Sequence, residues 1–216
     1  MNTSGYRLIP HRALRVLMPA LLLAGCTALS APRLECPNTY VLEARPDIRA
    51  SQVKRDLILA VSVPRARPGF ETPQMAYVQQ PHELNYFVTS RWADSPARML
   101  APLLVQAVGQ TGSFRAVVQS TGTGSADVRL DTELIRLQHD FGTRPSRVQF
   151  TLRAQLIDVR GKRVLAEKLF DETENAASDD AYGGVVAANR VLQRVLGQVS
   201  DFCVTESGPV RPVRPE

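Results

Sequence analysis

Val128, Leu130, Thr132 and Leu134 alternate with charged residues, and Val148, Phe150, Leu152, Ala154 and Leu156 alternate with Gln149, Thr151, Arg153 and Gln155. A period of two belongs to a strand with one face in a core and the other in water. After Leu134 the apolar set moves by one position to Ile135 and Leu137. A β-bulge near Leu134 accounts for that slip without abandoning the strand. Asp158 to Lys162 then supplies a hairpin turn around Gly161, and Arg163 to Phe170 returns. These residues commit the chain to an antiparallel sheet with one dry face.

Something must cover that face, and two segments qualify. Ser95-Pro96 is a helix start, since serine is a favoured N-cap and proline suits the first helical position. Leu100, Leu103, Leu104, Ala107 and Val108 follow as one apolar stripe. Pro102 bends that helix, and Gly109 and Gly112 stop it. A second helix starts at Asp179 or Asp180, with Val185, Ala188, Leu192, Val195, Leu196, Val199 and Phe202 on its stripe. Leu57 to Val63 is almost continuously apolar and reads as a strand buried on both faces. Tyr40 to Leu42, Met75 to Gln79, Leu84 to Thr89 and Phe114 to Gln119 are shorter strands. The predicted fold is α+β: a mostly antiparallel sheet of about six strands with two amphipathic helices on one face. Asp171 to Ser178 is read as a polar loop.

The N-terminus stands apart from this fold. Arg7, Arg12 and Arg15 precede an apolar stretch from Val16 to Ala24, far shorter than the roughly 20 residues a spanning helix needs. The stretch ends Leu23-Ala24-Gly25-Cys26, which resembles a bacterial lipobox. That resemblance implies that Cys26 is diacylated, becomes the first residue of the mature chain on removal of residues 1–25, and is then N-acylated. Thr27 follows in place of the aspartate that retains lipoproteins in the inner membrane, so the outer membrane is the expected location. The competing reading is an ordinary secretory signal with a chance cysteine. Residues 26–38 are then a tether, 39–204 the folded domain, and 205–216 a Pro-rich tail.

Removing residues 1–25 leaves 23 basic against 21 acidic residues, and no Lys/Arg run interleaved with aromatics. Nucleic acid is therefore not an expected partner. Cys36 and Cys203 remain, an even number in an oxidising compartment, and we expect them to pair. A loop that long gives roughly 4–5 kcal/mol in the chain-entropy model. Two unpaired thiols are the alternative.

Catalytic patterns are absent from the sequence. His82 and His139 have polar neighbours at predicted turns or strand ends and read as surface residues. There is no GxSxG, HExxH or CxxC pattern, so neither catalytic residues nor a metal site nor a cofactor is expected. Asp171-Glu172-Thr173-Glu174 lacks calcium-loop spacing. Arg144, Arg147, Arg153, Arg160, Lys162 and Arg163 surround one hairpin. They suit either an acidic headgroup or plain solvation of a strand face.

Residues 57–100 carry a more specific pattern. An apolar strand ends in Val63-Pro64, and Gln74-Met75-Ala76-Tyr77-Val78 follows. Then come Leu84-Asn85-Tyr86-Phe87 and Arg91-Trp92-Ala93-Asp94-Ser95-Pro96. Together with Tyr40-Val41-Leu42 and Arg45-Pro46, this resembles the ABC-type transport auxiliary lipoproteins, the PqiC-like family, over about residues 38–204. The resemblance implies a non-catalytic partner of an MCE-domain protein in an ABC-type lipid transporter, docked at the outer membrane through its lipid anchor. A homo-oligomeric ring around such a protein is conceivable. Tyr86, Arg91 and Trp92 are the candidate partner-binding residues, with Trp92 as a large anchor and Arg91 as a rigid donor fork. The competing reading packs Trp92 over the sheet and pairs Arg91 locally. A structural or assembly lipoprotein of the outer membrane is the alternative function.

Overall fold

The computed structural model describes residues 36–120 and 126–208. The chain divides into two units, residues 1–36 and 37–216. Cys26 and the tether up to residue 35, residues 121–125 of the Ser120–Ser125 loop and residues 209–216 of the Pro-rich tail lie outside the described residues, while residues 205–206, expected in the tail, belong to the last helix. Every described strand and helix belongs to the second unit.

Its strands are β1 (Asn38–Tyr40), β2 (Arg55–Val61), β3 (Arg65–Ala66), β4 (Gln74–Val78), β5 (Asn85–Trp92), β6 (Phe114–Gln119), β7 (Val128–Asp140), β8 (Arg147–Asp158) and β9 (Arg163–Asn175). The helices are α1 (Pro96–Gln110) and α2 (Ala181–Glu206). The expected long hairpin forms: β7, β8 and β9 pair antiparallel in sequence order. The slip read at Leu134 is a bulge between Leu134 and Arg136. It keeps Leu134 and Leu137 both inside, at 0% and 4% exposure.

The expected sheet of about six mostly antiparallel strands is corrected to a mixed sheet of nine among the described residues. The difference lies at the other edge of β7, where three strands share the edge in succession, all parallel to it. β2 takes Val128–Leu130, β3 takes Glu133–Leu134, and β4 takes Gln138–Asp140. β6 then extends the sheet beyond β2, also in parallel, while β5 pairs antiparallel with β4 and β1 parallel with β5. Parallel neighbours need long crossovers, and the chain between β2 and its parallel neighbour β6 runs through β3, β4, β5 and α1. Arg65 and Ala66, just past Pro64, form β3.

Both helices pack on the sheet and on each other. Leu100, Leu104, Ala107 and Val108 of α1 are buried. Ser95 holds the N-cap position through its carbonyl, which accepts from Arg98 and Met99, while its hydroxyl makes no cap bond. Pro102 lies within the helix, Gly109 is still helical, and Gly112, at φ +60°, ends the next turn. Asp180 caps α2 through its side chain, accepting from the Gly183 N–H at 2.7 Å. Phe150, Phe170, Leu152, Leu156, Leu192 and Leu196 fill the space between α2 and the hairpin. Among the described residues, no helix is long and apolar enough to cross a membrane.

The expected loop from Asp171 is also corrected, because β9 runs on to Asn175. Glu172 and Glu174 turn toward α2, where Arg194 meets them at 3.4 and 2.8 Å and Arg190 reaches Glu174 at 3.6 Å. Ion pairs occupy the face on which the same strand places Ala166 and Phe170.

Candidate functional site

The residues singled out for partner binding lie on β5, whose partner β4 comes back from a loop containing Gly69. Pairing shifts from Gln74↔Arg91 to Ala76↔Tyr86, so β5 carries three extra residues at that point. An odd excess reverses which face the side chains use. Phe87 and Trp92 therefore line the same small cavity although their positions differ in parity.

Trp92 is 3% exposed and belongs to the core. Arg91 is exposed, and its Nε donates to Thr39 Oγ1 at 3.3 Å, a local bond across the β1–β5 pair. Tyr86 is half-buried and its hydroxyl donates to the Gly69 carbonyl at 3.1 Å. A side chain at Gly69 would collide with Leu84, and its φ of +94° suits only glycine. The structure does not bring the three residues together on one surface. Trp92 points inward, and Tyr86 braces the loop.

The same region shows what the sequence reading missed. Tyr77, Phe87, His139 and Phe141 form an aromatic cluster at the end of β7. Ring centroids are 4.8 Å apart for Tyr77–Phe87, 5.9 Å for Tyr77–Phe141 and 4.1 Å for His139–Phe141. The three phenyl and phenol rings are half-buried, and Val88, which follows Phe87 in the chain, is 92% exposed. Beneath lies a cavity of about 10 Å3, lined by Met75, Phe87, Trp92, Leu137 and Val148. That is room for one water at most, within apolar walls that give it few partners.

His139 is not a surface residue, and that expectation is corrected: it is 3% exposed. Its Nε2 lies 2.9 Å from Ser146 Oγ, and Ser146 Oγ donates to Asp179 Oδ1 at 2.5 Å. The serine proton is committed to the carboxylate, so Nε2 carries the imidazole proton and donates. Nδ1 is then a bare lone pair, and it is buried without a hydrogen-bond partner. It faces Gly184 of α2, where an added Cβ would sit 2.7 Å away. Glycine at that position lets the first turn of α2 lie directly against the ring.

Histidine, serine and aspartate in contact invite comparison with a hydrolase triad, but the order is different. There the imidazole bridges serine and carboxylate and takes the serine proton. Here the serine is the bridge, fully buried, and its proton goes to the carboxylate. The arrangement ties the β7–β8 connection to the start of α2 and leaves no activated nucleophile.

Burial holds the His139 pKa below its ordinary value near 6.5, against the raising influence of Asp179, Asp180 and Asp140. A buried neutral histidine has a definite signature. Above 6.5 neither folded nor unfolded His139 takes a proton. As pH falls through 6.5 the unfolded chain takes one first, so stability declines until the folded value is also passed. The slope is bounded by about 1.4 kcal/mol per pH unit for one site. Urea midpoints should therefore fall between pH 7.5 and 5.5 in the native protein, and this fall should be smaller in His139→Gln. Equal falls in the two proteins would show that other groups carry the pH dependence.

Three of the six basic residues around the β8–β9 hairpin stand in ion pairs. Arg147 pairs with Asp140 at 3.3 Å, Arg153 with Glu133 at 3.1 Å, and Arg163 with Asp158 at 3.3 Å. This favours the solvated-face reading. Cys36 is exposed and Cys203 is wholly buried on α2, and both are free thiols, so the expected bond between them is not formed in the structure. Burial pushes the Cys203 thiol far above its ordinary range. Among the described residues, no group of three His, Cys, Asp or Glu side chains is placed to hold a metal ion.

The fold is shared with solved structures. A crystal structure of a Xanthomonas campestris protein of a family called DUF330 superposes with a TM-score of 0.72 at 21% identity. It covers 79% of this chain and 96% of that one. A second, uncharacterized protein superposes at 0.60 and 16% identity, covering 81% and 100%. At these identities the likeness concerns the fold alone. No curated protein matches the sequence. The family model for the ABC-type transport auxiliary lipoprotein component matches residues 40–200, which takes in every strand from β2 to β9, α1 and most of α2. The chain therefore belongs to the ABC-type transport auxiliary lipoprotein family.

Proposed function

We propose that this lipoprotein is a non-catalytic subunit of an MCE/ABC-type lipid transport system, held at the outer membrane by acyl groups on Cys26. Its domain docks the periplasmic MCE-domain protein there. The family match over residues 40–200 carries this reading. Two further observations support it. Thr27, not aspartate, follows Cys26. The half-buried aromatic cluster of Tyr77, Phe87 and Phe141, with Val88 exposed next to Phe87 in the chain, offers an apolar surface suited to a protein contact.

The test is co-purification from detergent-solubilised envelopes with the MCE-domain protein encoded beside this chain's transporter. Native protein should retain it. Val88→Glu, which puts a charge on an exposed position without touching the core, should reduce recovery about tenfold or more, the loss of about 1.4 kcal/mol. If native protein retains no MCE-domain protein, the docking role is wrong. If Val88→Glu binds as well as native, the contact lies elsewhere on the domain.

A further inference from the structure

α2 runs alongside β9, opposite in direction, and closes only half of its outer edge. At the upper half, Arg194 donates to the Thr173 carbonyl at 2.8 Å and Gln198 reaches Glu172 at 2.7 Å. At the lower half, no hydrogen bond joins α2 to residues 166–170 among the described residues. A groove of about 380 Å3 opens there, walled by Ala166, Glu167 and Lys168 on the strand and by Asp201, Phe202 and Glu206 on the helix.

The direction of the strand's backbone groups follows from two bonds. The Ala176 N–H donates to the Ser146 carbonyl beside β8, and the Thr173 carbonyl turns outward to Arg194. In an antiparallel ladder both polar groups of one residue face the same side and neighbours alternate. The β8–β9 register is unbroken from Asn175 to Ala166. Asp171, Leu169 and Glu167 therefore present N–H and C=O away from β8, and β9 pairs with no other strand among the described residues. A strand edge beside a helix, with a groove between them, is the geometry that accepts an extended peptide as an added strand.

The charge around the groove selects the occupant. Asp201 and Glu206 make no ion pair among the described residues. Glu167 turns its carboxylate to the other face of the sheet, where it accepts from the Gln155 amide and Arg153 stands 3.8 Å away. Lys168 turns its ammonium over the Phe170 ring, 5.2 Å from the centroid. Buried Phe202 supplies an apolar floor. We infer that the β9–α2 groove binds an extended, basic segment of a partner protein. The segment adds as a strand to Glu167–Asp171 and sets its cationic side chains, on the α2 side, against Asp201 and Glu206. This inference stands on the groove and does not require the lipid-transport reading.

The probe is a blocked octapeptide alternating lysine and valine, offered to the full mature chain in detergent micelles. Hydrogen exchange and backbone amide shifts are followed. The expected result is saturable protection of the Leu169 and Asp171 amides, weakened by salt and absent with a glutamate/valine peptide. Leu169→Pro removes an outward N–H that β8 does not use, and should abolish protection with the circular dichroism spectrum unchanged. Asp201→Lys with Glu206→Lys leaves the strand untouched and should weaken binding about tenfold or more. The inference is overturned by no protection at Leu169, or by equal binding of the glutamate peptide. It is also overturned if Asp201→Lys/Glu206→Lys binds like native. It fails too if the peptide binds only once residues 209–216 are removed, since the chain's own tail would then be the occupant. Concentration-dependent protection without peptide would make the occupant a second copy and likewise overturn it.

Discussion

Alanine at Trp92 should lower the unfolding free energy by about 3–5 kcal/mol, the range for removing a large aromatic from a packed core. The indole is 3% exposed, lies against Phe87, Met75, Leu137 and Val148, and closes the small cavity beneath the aromatic cluster. Removing it enlarges a void with apolar walls, which has no compensating water. Arg91→Ala, one residue away, should change stability by no more than about 0.5 kcal/mol, because the guanidinium is exposed and bonds only to Thr39. Chemical denaturation of both variants reads the contrast directly. A Trp92→Ala protein with native stability that no longer binds its partner would restore tryptophan as a recognition residue. The Arg-Trp segment, the most family-like part of the sequence, is on this account a folding element whose second residue fills the core.

Serine at Cys26 should move the protein wholly from the membrane pellet to the soluble fraction. Hydroxyl does not replace thiol as the acyl acceptor, so the variant loses every acyl chain at once. Each buried methylene contributes about 0.8 kcal/mol and a single chain binds only marginally, so the proposed anchor would rest on several chains together. Among the described residues, no helix is long and apolar enough to span a bilayer. Intact mass should fall by the acyl groups, and circular dichroism should stay the same. A Cys26→Ser protein that still sediments with membranes after a high-salt wash would mean that something other than acylation holds it there.

Local pattern made the hairpin legible. The bulge at Leu134, the turn at Gly161, the stripes of α1 and α2 and the proline at the first turn of α1 each have a nearby physical cause. Partner choice across the sheet has none. Nothing near Leu59 announces that it will pair with Val128, because the two meet through a crossover of about seventy residues. The end of β9 escaped because Glu172 and Glu174 hold inward positions by pairing with arginines, which erases the alternation. His139 was within reach. Counting by two from Leu137, past the bulge, places it on the buried face, and its polar neighbours Gln138 and Asp140 then fall outside. The glycine pair at 183 and 184 was a second signal. Two glycines in a helix's first turn weaken it, so their presence pointed to something pressed closely against that turn.

The shared edge of β7 bears on how the molecule assembles. β2, β3 and β4 all emerge before it, and each has a row of amides and carbonyls that β7 alone can satisfy. A chain delivered from its N-terminus would carry these strands half-paired until residue 140 had arrived. Topologies dominated by such distant pairings fold slowly and expose sticky edges meanwhile. An envelope chaperone that shields bare strands during export would act on this half of the molecule, and its work would end when one thirteen-residue ribbon slid into place.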